Sequence, residues 1–329
     1  MKSQILATGS YVPERIVTNS ELASLMETSD TWIQKHIGVR ERRFASPGEG
    51  VSDMALKAAR TALKRAKLKS EDIDAIVFAT STSEFHAPGS GVLLQHKLGC
   101  RDIPAFDVRN TSPGFLYSLD LADGLIQSGR YKTILVVASE VHSTGLDFST
   151  RGRKMAVIFG DGCGCFILQA SEGKSGIQDI VLHSDGSHAK DLWCEGPSSL
   201  RNPRISTEQI NEGVFYPQMN GKVVFEHAAN RMSEVVRELL DRNNLTAKDI
   251  DYAISHQANL RILEAIQEKL KLCDNKMPHN IERYGNTSAA SIPLLYDELV
   301  TEGLIREGQN IVFVSFGSGF CWGAALTIA

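Results

Sequence analysis

Four short segments carry residues able to do chemistry. In AFDVRNTSPGFLYSLDLADGLIQSG a β-rich run, Ala105–Val108, leads through a polar turn into a helical pattern, with Ser112 at the start of that helix and Pro113 after it. Serine followed by proline is an ordinary way to begin a helix, so Ser112 alone reads as a cap. The same place also offers free backbone N–H groups and the positive end of a helix dipole, which favour a nucleophile and steady an oxyanion. A hydroxyl gains less than a thiol there, because it needs a base. His256 in SHQANLRILEAI follows an apolar strand and precedes a helix, Asn286 stands in the glycine turn of YGNTSAASIP, and Ser318 lies between Gly317 and Gly319 in FGSGFCWGAAL. Glycine turns bring backbone N–H groups close to a ligand. Each signal alone is weak; only their order along the chain makes the set specific.

The elements that must position these residues alternate. Helical periodicity marks 52–67, 114–128, 226–243 and 260–271; apolar β-branched runs mark 74–79, 104–108, 133–138, 251–255 and 310–315. Strands alternating with helices argue for sheets covered by helices. The chain also repeats itself. LKSEDIDAIVFATS from Leu68 is matched by LTAKDIDYAISHQA from Leu245, and ILVVASE with FGDGCGCFIL by IVFVSFGSGFCWGAAL, in the same order. This predicts two copies of one α/β unit, 1–170 and 171–329. Segment 185–222, rich in Gly, Pro, Ser and Asn, shows little period and reads as a long excursion over a site.

Bulk properties narrow the function. With 329 residues, 42% of them hydrophobic, the chain can bury substantial cores. A net charge of -4 gives no basic face for nucleic acid. No apolar run approaches the ~20 residues that span a membrane, and MKSQILATGSYVPE lacks a signal-peptide pattern, so the cytoplasm is the expected location. Cys163 and Cys165 sit in an apolar run without partners at zinc spacing and read as buried thiols.

Taken together, TGSYVPER, TSDTWIQKHIGVRERR (28–43), the FDV-to-helix segment, RGRKMAVIFGDGCG (151–164), LHSDGS (182–187), HQANLRI (256–262), YGNTSAASIP (284–293) and FGSGFCWGAAL make the chain resemble the β-ketoacyl-ACP synthase III family along almost its whole length. The resemblance implies a thiolase fold, two duplicated α/β halves in a five-layered αβαβα arrangement, working as a homodimer. It implies an acyl group taken from acyl-CoA, then a decarboxylative condensation with a malonyl thioester on an acyl carrier protein. No tightly bound cofactor or metal is implied; coenzyme A thioester is substrate. The family's Cys-His-Asn triad falls on Ser112, His256 and Asn286, with oxyanion N–H groups from Ser112 and Ser318. Trp32 and Arg151 match the pair that sandwiches the adenine of coenzyme A; Gly221 and Asn259 match positions along the pantetheine tunnel.

The departures from the family pattern bear on substrate. Serine replaces the nucleophilic cysteine, which implies either an engineered Cys→Ser change in a condensing enzyme or a native serine acyltransferase or thioester hydrolase. A third reading is a catalytically silent partner of an active condensing enzyme; the retained His256 and Asn286 argue against it. His36 stands where an arginine for coenzyme A phosphates is common. Ala87 stands where some members place a phenylalanine from the partner subunit at the floor of the acyl pocket, implying room for a longer or bulkier chain. Glu226 replaces a lysine that docks the carrier protein, while Arg261 and Lys269 keep other basic positions. Segment 189–217 looks longer than in housekeeping members and points to secondary or polyketide-type metabolism.

Overall fold

The structure, a computed structural model, describes residues 2–329. In chain order the first part runs β1 (Lys2–Tyr11), β2 (Arg15–Thr18), α1 (Asn19–Ala23), α2 (Asp30–Ile37), β3 (Glu41–Phe44), α3 (Val51–Ala66), β4 (Ala75–Ala79), α4 (Ser90–Leu98), β5 (Ala105–Val108), α5 (Gly114–Gln127), β6 (Thr133–Glu140), α6 (Arg153–Ala156) and β7 (Gly162–Ser171). The second part runs β8 (Gly176–Ser184), β9 (Leu192–Trp193), α7 (Thr207–Glu212), β10 (Gln218–Met219), α8 (Gly221–Arg242), β11 (Tyr252–Ser255), α9 (Leu260–Leu270), α10 (Ile281–Tyr284), α11 (Ser291–Thr301), β12 (Asn310–Gly317) and β13 (Cys321–Ile328).

Two sheets form the frame. The first has order β1-β7-β6-β4-β5 and the second β11-β12-β13-β8. Without β5, the first reads β1-β7-β6-β4 and the second, reversed, β8-β13-β12-β11. The sense of pairing agrees at each step: antiparallel for β1/β7 and β8/β13, antiparallel for β7/β6 and β13/β12, parallel for β6/β4 and β12/β11. The internal repeat of the sequence is therefore a structural duplication.

The central strands β4, β6 and β12 are buried and largely apolar because helices cover both faces. Along β4, Ala75, Val77 and Ala79 face inward to α5, while Ile76 and Phe78 face α3, the period-two alternation of a strand. On β12, Ile311 and Phe313 point inward, and Val312 and Val314 pack against α8 and α9. Between the sheets lie α5 and α11. Their Phe115 and Tyr296 pack on Phe166, each with ring centroids 5.0 Å apart, and Tyr296 meets Phe313 at 5.4 Å. Burying each such side chain contributes about 1.5–3 kcal/mol. With α3 and α4 outside one sheet and α8 and α9 outside the other, the layers are αβαβα.

The helix expected from 226 begins earlier, at Gly221. Segment 185–222 is also more structured than its composition suggests. β9 and β10 pair, Ser206 caps α7 by accepting from Gln209 N, and Gly213 ends it at φ 76°. Parallel strands β4, β5 and β6, and likewise β11 and β12, end on a common side, the usual place for a binding crevice.

Candidate active site

A cavity of about 1080 Å³ opens where those strand ends meet. Ser112, His256, Asn286 and Ser318 all line it, as do Trp32, His36, Gly221, Asn259 and Arg261. Segment 185–222 contributes Leu192, Trp193, Cys194, Met219 and Asn220 to the wall.

Ser112 follows β5, but it does not cap α5. The helix starts at Gly114, with Pro113 in the cap position, so Ser112 sits in the turn before it. Thr111 is held at φ 46°, a left-handed conformation costly for a β-branched residue. The turn closes with Gly114 N donating to Thr111 O at 2.9 Å. Freed from capping, the Ser112 hydroxyl lies 3.2 Å from Ser288 Oγ. Gly317 packs on this turn: a Cβ there would stand 2.7 Å from Pro113 Cδ and 3.2 Å from Ser112 Cβ. Only glycine lets the end of β12, and with it Ser318, approach so closely. The Ser318 hydroxyl itself donates to Leu192 O, which ties the covering segment to the site.

His256 is buried at the end of β11. Ser291 Oγ gives its proton to Ser288 O at 2.7 Å and lies 2.8 Å from His256 Nδ1. With its proton already committed, that hydroxyl accepts from Nδ1–H, and Nε2 is left as a bare lone pair. Burial pushes the imidazole down to about 3, so it is neutral at ordinary pH. The sequence reading asks His256 to present an N–H to substrate; the ring's one proton instead points back to Ser291.

Asn286 is clamped through its backbone. Its N donates to Ile158 O at 2.9 Å, and Gly160 N donates to its O at 3.1 Å. A Cβ at Gly160 would stand 2.1 Å from Tyr284 O, so this close passage requires glycine. The side-chain Oδ1 accepts from Ser288 N at 2.7 Å, which turns the NH₂ outward as a donor.

The mouth is built by α2 and α9. Ser29 caps α2 by accepting from Trp32 N at 3.1 Å, and Trp32 stacks on His36 with centroids 4.6 Å apart. Asn259 joins the two helices: its Oδ1 accepts from Arg261 N and its Nδ2 donates to His36 O. Gly221 begins α8, where a Cβ would meet only Met219 Cε at 3.7 Å. Arg151, Ala87 and Lys269 lie outside the lining. Arg151 pairs with Asp147 at 2.6 Å and donates to Asn211 O. Ala87 is exposed in the loop after β4, and Lys269 is exposed on α9, as Glu226 is on α8.

Several lining residues escape the sequence reading. Ser288 lines the wall and Ser291 is buried against His256; both lie in the hydroxyl-rich run after Asn286, a signal that was available. Arg109, Lys154 and Lys222 add cationic side chains to the wall. His142 and, behind it, Glu140 interrupt the end of an apolar strand. Burial pushes the Glu140 carboxyl up to about 7 and the His142 ring down to about 4. Cys163 and Cys165 are buried on β7; burial raises the Cys163 thiol to about 12, so it stays protonated.

A duplicated five-layer sandwich with a serine, a neutral imidazole and a donor amide in one crevice between its sheets defines a thiolase-fold enzyme of acyl transfer. Models of 3-oxoacyl-[acyl-carrier-protein] synthase III match residues 106–186, and of its C-terminal region residues 240–328. A β-ketoacyl-[acyl-carrier-protein] synthase III of Paramagnetospirillum magneticum is 42% identical, covering 99% of this chain and 98% of its own. One from Azobacteroides pseudotrichonymphae is 40% identical, covering 97% and 95%. The crystal structure of 3-oxoacyl-[acyl-carrier-protein] synthase III from Aquifex aeolicus superposes with a TM-score of 0.91 at 36% identity, covering 99% of this chain and all of its own. The chain belongs to the β-ketoacyl-ACP synthase III family of acyltransferase condensing enzymes.

Proposed function

We propose that the chain takes an acyl group from acyl-CoA onto Ser112 and condenses it with a malonyl thioester. The convergence of Ser112, bare His256 Nε2 and the Asn286 NH₂ in one cavity carries this reading. His256 Nε2 accepts the hydroxyl proton as Ser112 Oγ attacks the thioester carbonyl; the N–H groups of Ser112 and Ser318 receive the oxyanion. The coenzyme A thiolate leaves and takes the proton from His256. Malonyl thioester then loses carbon dioxide, and its enolate oxygen accepts from Asn286 Nδ2. The enolate carbon attacks the acyl ester, the Ser112 alkoxide leaves, and it takes a proton from water.

The adenine end of coenzyme A lies at Trp32 and Arg151, His36 meets its phosphates, and Gly221 and Asn259 flank the pantetheine. Arg261 and Lys269 receive an acidic carrier protein. Residues 1–170 supply the nucleophile and nucleotide contacts; 171–329 supply His256, Asn286 and the covering segment. Two copies pair along β5, an edge strand whose Phe106 is exposed, with Phe85 exposed in the loop after β4, and Ala87 reaches the partner's acyl pocket. The reaction takes place in the cytoplasm, in secondary or polyketide-type metabolism. Among the described residues no helix is long and apolar enough to cross a membrane.

A second reading, transfer or hydrolysis of the acyl group without condensation, draws support from His256. An unprotonated Nε2 suits a base for a hydroxyl better than a donor to an enolate. Incubation with acyl-CoA and malonyl thioester, following protein mass and carbon dioxide, separates the two. Carbon dioxide release with loss of the acyl mass supports condensation. Loss of the acyl mass without carbon dioxide overturns it in favour of transfer or hydrolysis.

A further inference from the structure

Beyond Ser112 the cavity follows the sheet edge. β5, β4 and β6 are consecutive parallel strands, so Ser112, Ser81–Thr82 and His142 succeed one another across their ends. Two strand spacings separate the first from the last, roughly 9–10 Å. The wall there is polar, and its hydrogen bonds are almost all filled. Thr82 Oγ1 accepts from Val141 N at 2.9 Å and gives its proton to Glu140 at 2.5 Å. Ser81 Oγ gives its proton to the same carboxylate at 3.0 Å, and Ser81 N donates to it too. Ser81 Oγ keeps a lone pair.

His142 is the exception. Its ring is fixed by stacking on Phe159, centroids 4.4 Å apart, and its backbone N donates to Asp161 at 2.8 Å. Nε2 is sealed in protein with no hydrogen-bond partner among the described residues, while the residue as a whole is only half-buried and lines the cavity. A sealed lone pair is tolerated better than a sealed N–H, so the proton belongs on Nδ1. The ring edge that opens on the cavity therefore offers an unfilled donor on the same wall as the Ser81 acceptor.

We propose that this subsite selects an acyl chain bearing a hydroxyl group, with His142 as the specificity-determining residue. A hydroxyl accepts from the imidazole and donates to Ser81. A plain alkyl chain leaves the donor unmet, and a carboxylate has no proton to give the Ser81 acceptor. The proposal rests on the reading that Ser112 carries the acyl group.

The test uses acyl-CoAs of four to eight carbons in matched alkyl, hydroxy and terminal-carboxy forms. Acylation of residue 112 is timed by intact-protein mass in the wild type, His142→Leu and His142→Gln. A hydroxyacyl-CoA is expected to load about 10-fold faster than its alkyl match. His142→Leu should reverse that order and still load the alkyl chains, which shows that it folds; His142→Gln, which keeps an N–H donor, should retain part of the preference. Equal rates for alkyl and hydroxy forms, a carboxy preference, or a hydroxy preference that His142→Leu leaves unchanged would each overturn the proposal. If no acyl-CoA loads either the serine form or Ser112→Cys, the acyl-enzyme reading itself falls, and this one with it.

Discussion

The two halves of the duplication end their parallel strands in the same place but furnish those ends differently. The first carries an extra strand, β5, and with it Ser112. It also holds a half-buried imidazole, His142, two residues after a buried carboxyl, Glu140. The second sheet has four strands and holds a buried imidazole, His256, bonded to a hydroxyl, Ser291. Repetition thus supplies the crevice, and the additions at one edge supply the nucleophile. The difference also teaches how the site manages charge. Both imidazoles are kept neutral by burial, and only the first half offsets its own with a group that titrates in the opposite sense.

The largest expected effect comes from changing what the first half contributes. A hydroxyl must pass its proton to an imidazole whose affinity for it has fallen to about 3, a steep climb. A thiol ionises far more readily and needs that base less. Ser112→Cys is therefore expected to raise the rate of acylation on the order of 10³-fold, read as mass gain on residue 112. Equal rates for the two forms would mean that the turn at Thr111 activates the hydroxyl by itself. Removing a group from the second half should act on a different step. Asn286→Ala is expected to slow carbon dioxide release about 10²-fold while acylation changes little. If both steps fall together, Asn286 is positioning Ser288 and the nucleophile, not an enolate.

How much of this was legible in the sequence follows the same division. Helices α3, α5, α8 and α9 announced themselves by period and the central strands by apolar β-branched runs, and the repeat announced the duplication. β8 was not marked because GIQDIVLHS mixes polar and apolar residues, and only the pairing with β13 makes it a strand. α11 was missed because SIPLLYDELVT is apolar nearly all round, as a helix between two sheets must be. Ser112, His256 and Asn286 were found through their motifs. His142 and Glu140 were not, since a single polar residue at the end of an apolar strand has no motif. Nor could any sequence pattern show that the His256 proton points back at Ser291. That depends on a chain of hydroxyls closing in three dimensions.

Smaller effects probe how the halves are joined. Gly317→Ala places a methyl 2.7 Å from Pro113 and should cost about 1–3 kcal/mol in urea unfolding, with slower acylation because the nucleophile turn must move. Unchanged stability would show that the β12 end gives way freely. Ser291→Ala removes the acceptor that fixes the His256 tautomer. It should lower acylation about 10-fold, the worth of one hydrogen bond, and widen the gap between serine and cysteine forms only if Nε2 is the base.

The smallest effect separates the two charge arrangements themselves. A histidine held neutral in the fold binds its proton more weakly than in the unfolded chain. Its contribution is fully present above about pH 6.5 and is lost as pH falls toward the folded value, about 4 for His142 and about 3 for His256. Glu140 has the opposite sign. Its pKa is raised to about 7, so its contribution is present below the unfolded value near 4.5 and is lost as pH rises through 7. Between pH 4.5 and 6.5 the two histidines make the unfolded chain bind two more protons, and Glu140 makes the folded chain bind one more. These three groups therefore leave a net difference of one proton, or about 1.4 kcal/mol per pH unit. Burial raises the Asp161 carboxyl too, so the comparison between variants is the measure. His142→Leu should flatten the dependence of unfolding free energy on pH by about one proton, and Glu140→Gln should steepen it by the same amount. Urea midpoints across that range decide it. If both variants shift the slope in one direction, the first half does not balance its imidazole with its carboxylate, and the contrast with the second half disappears.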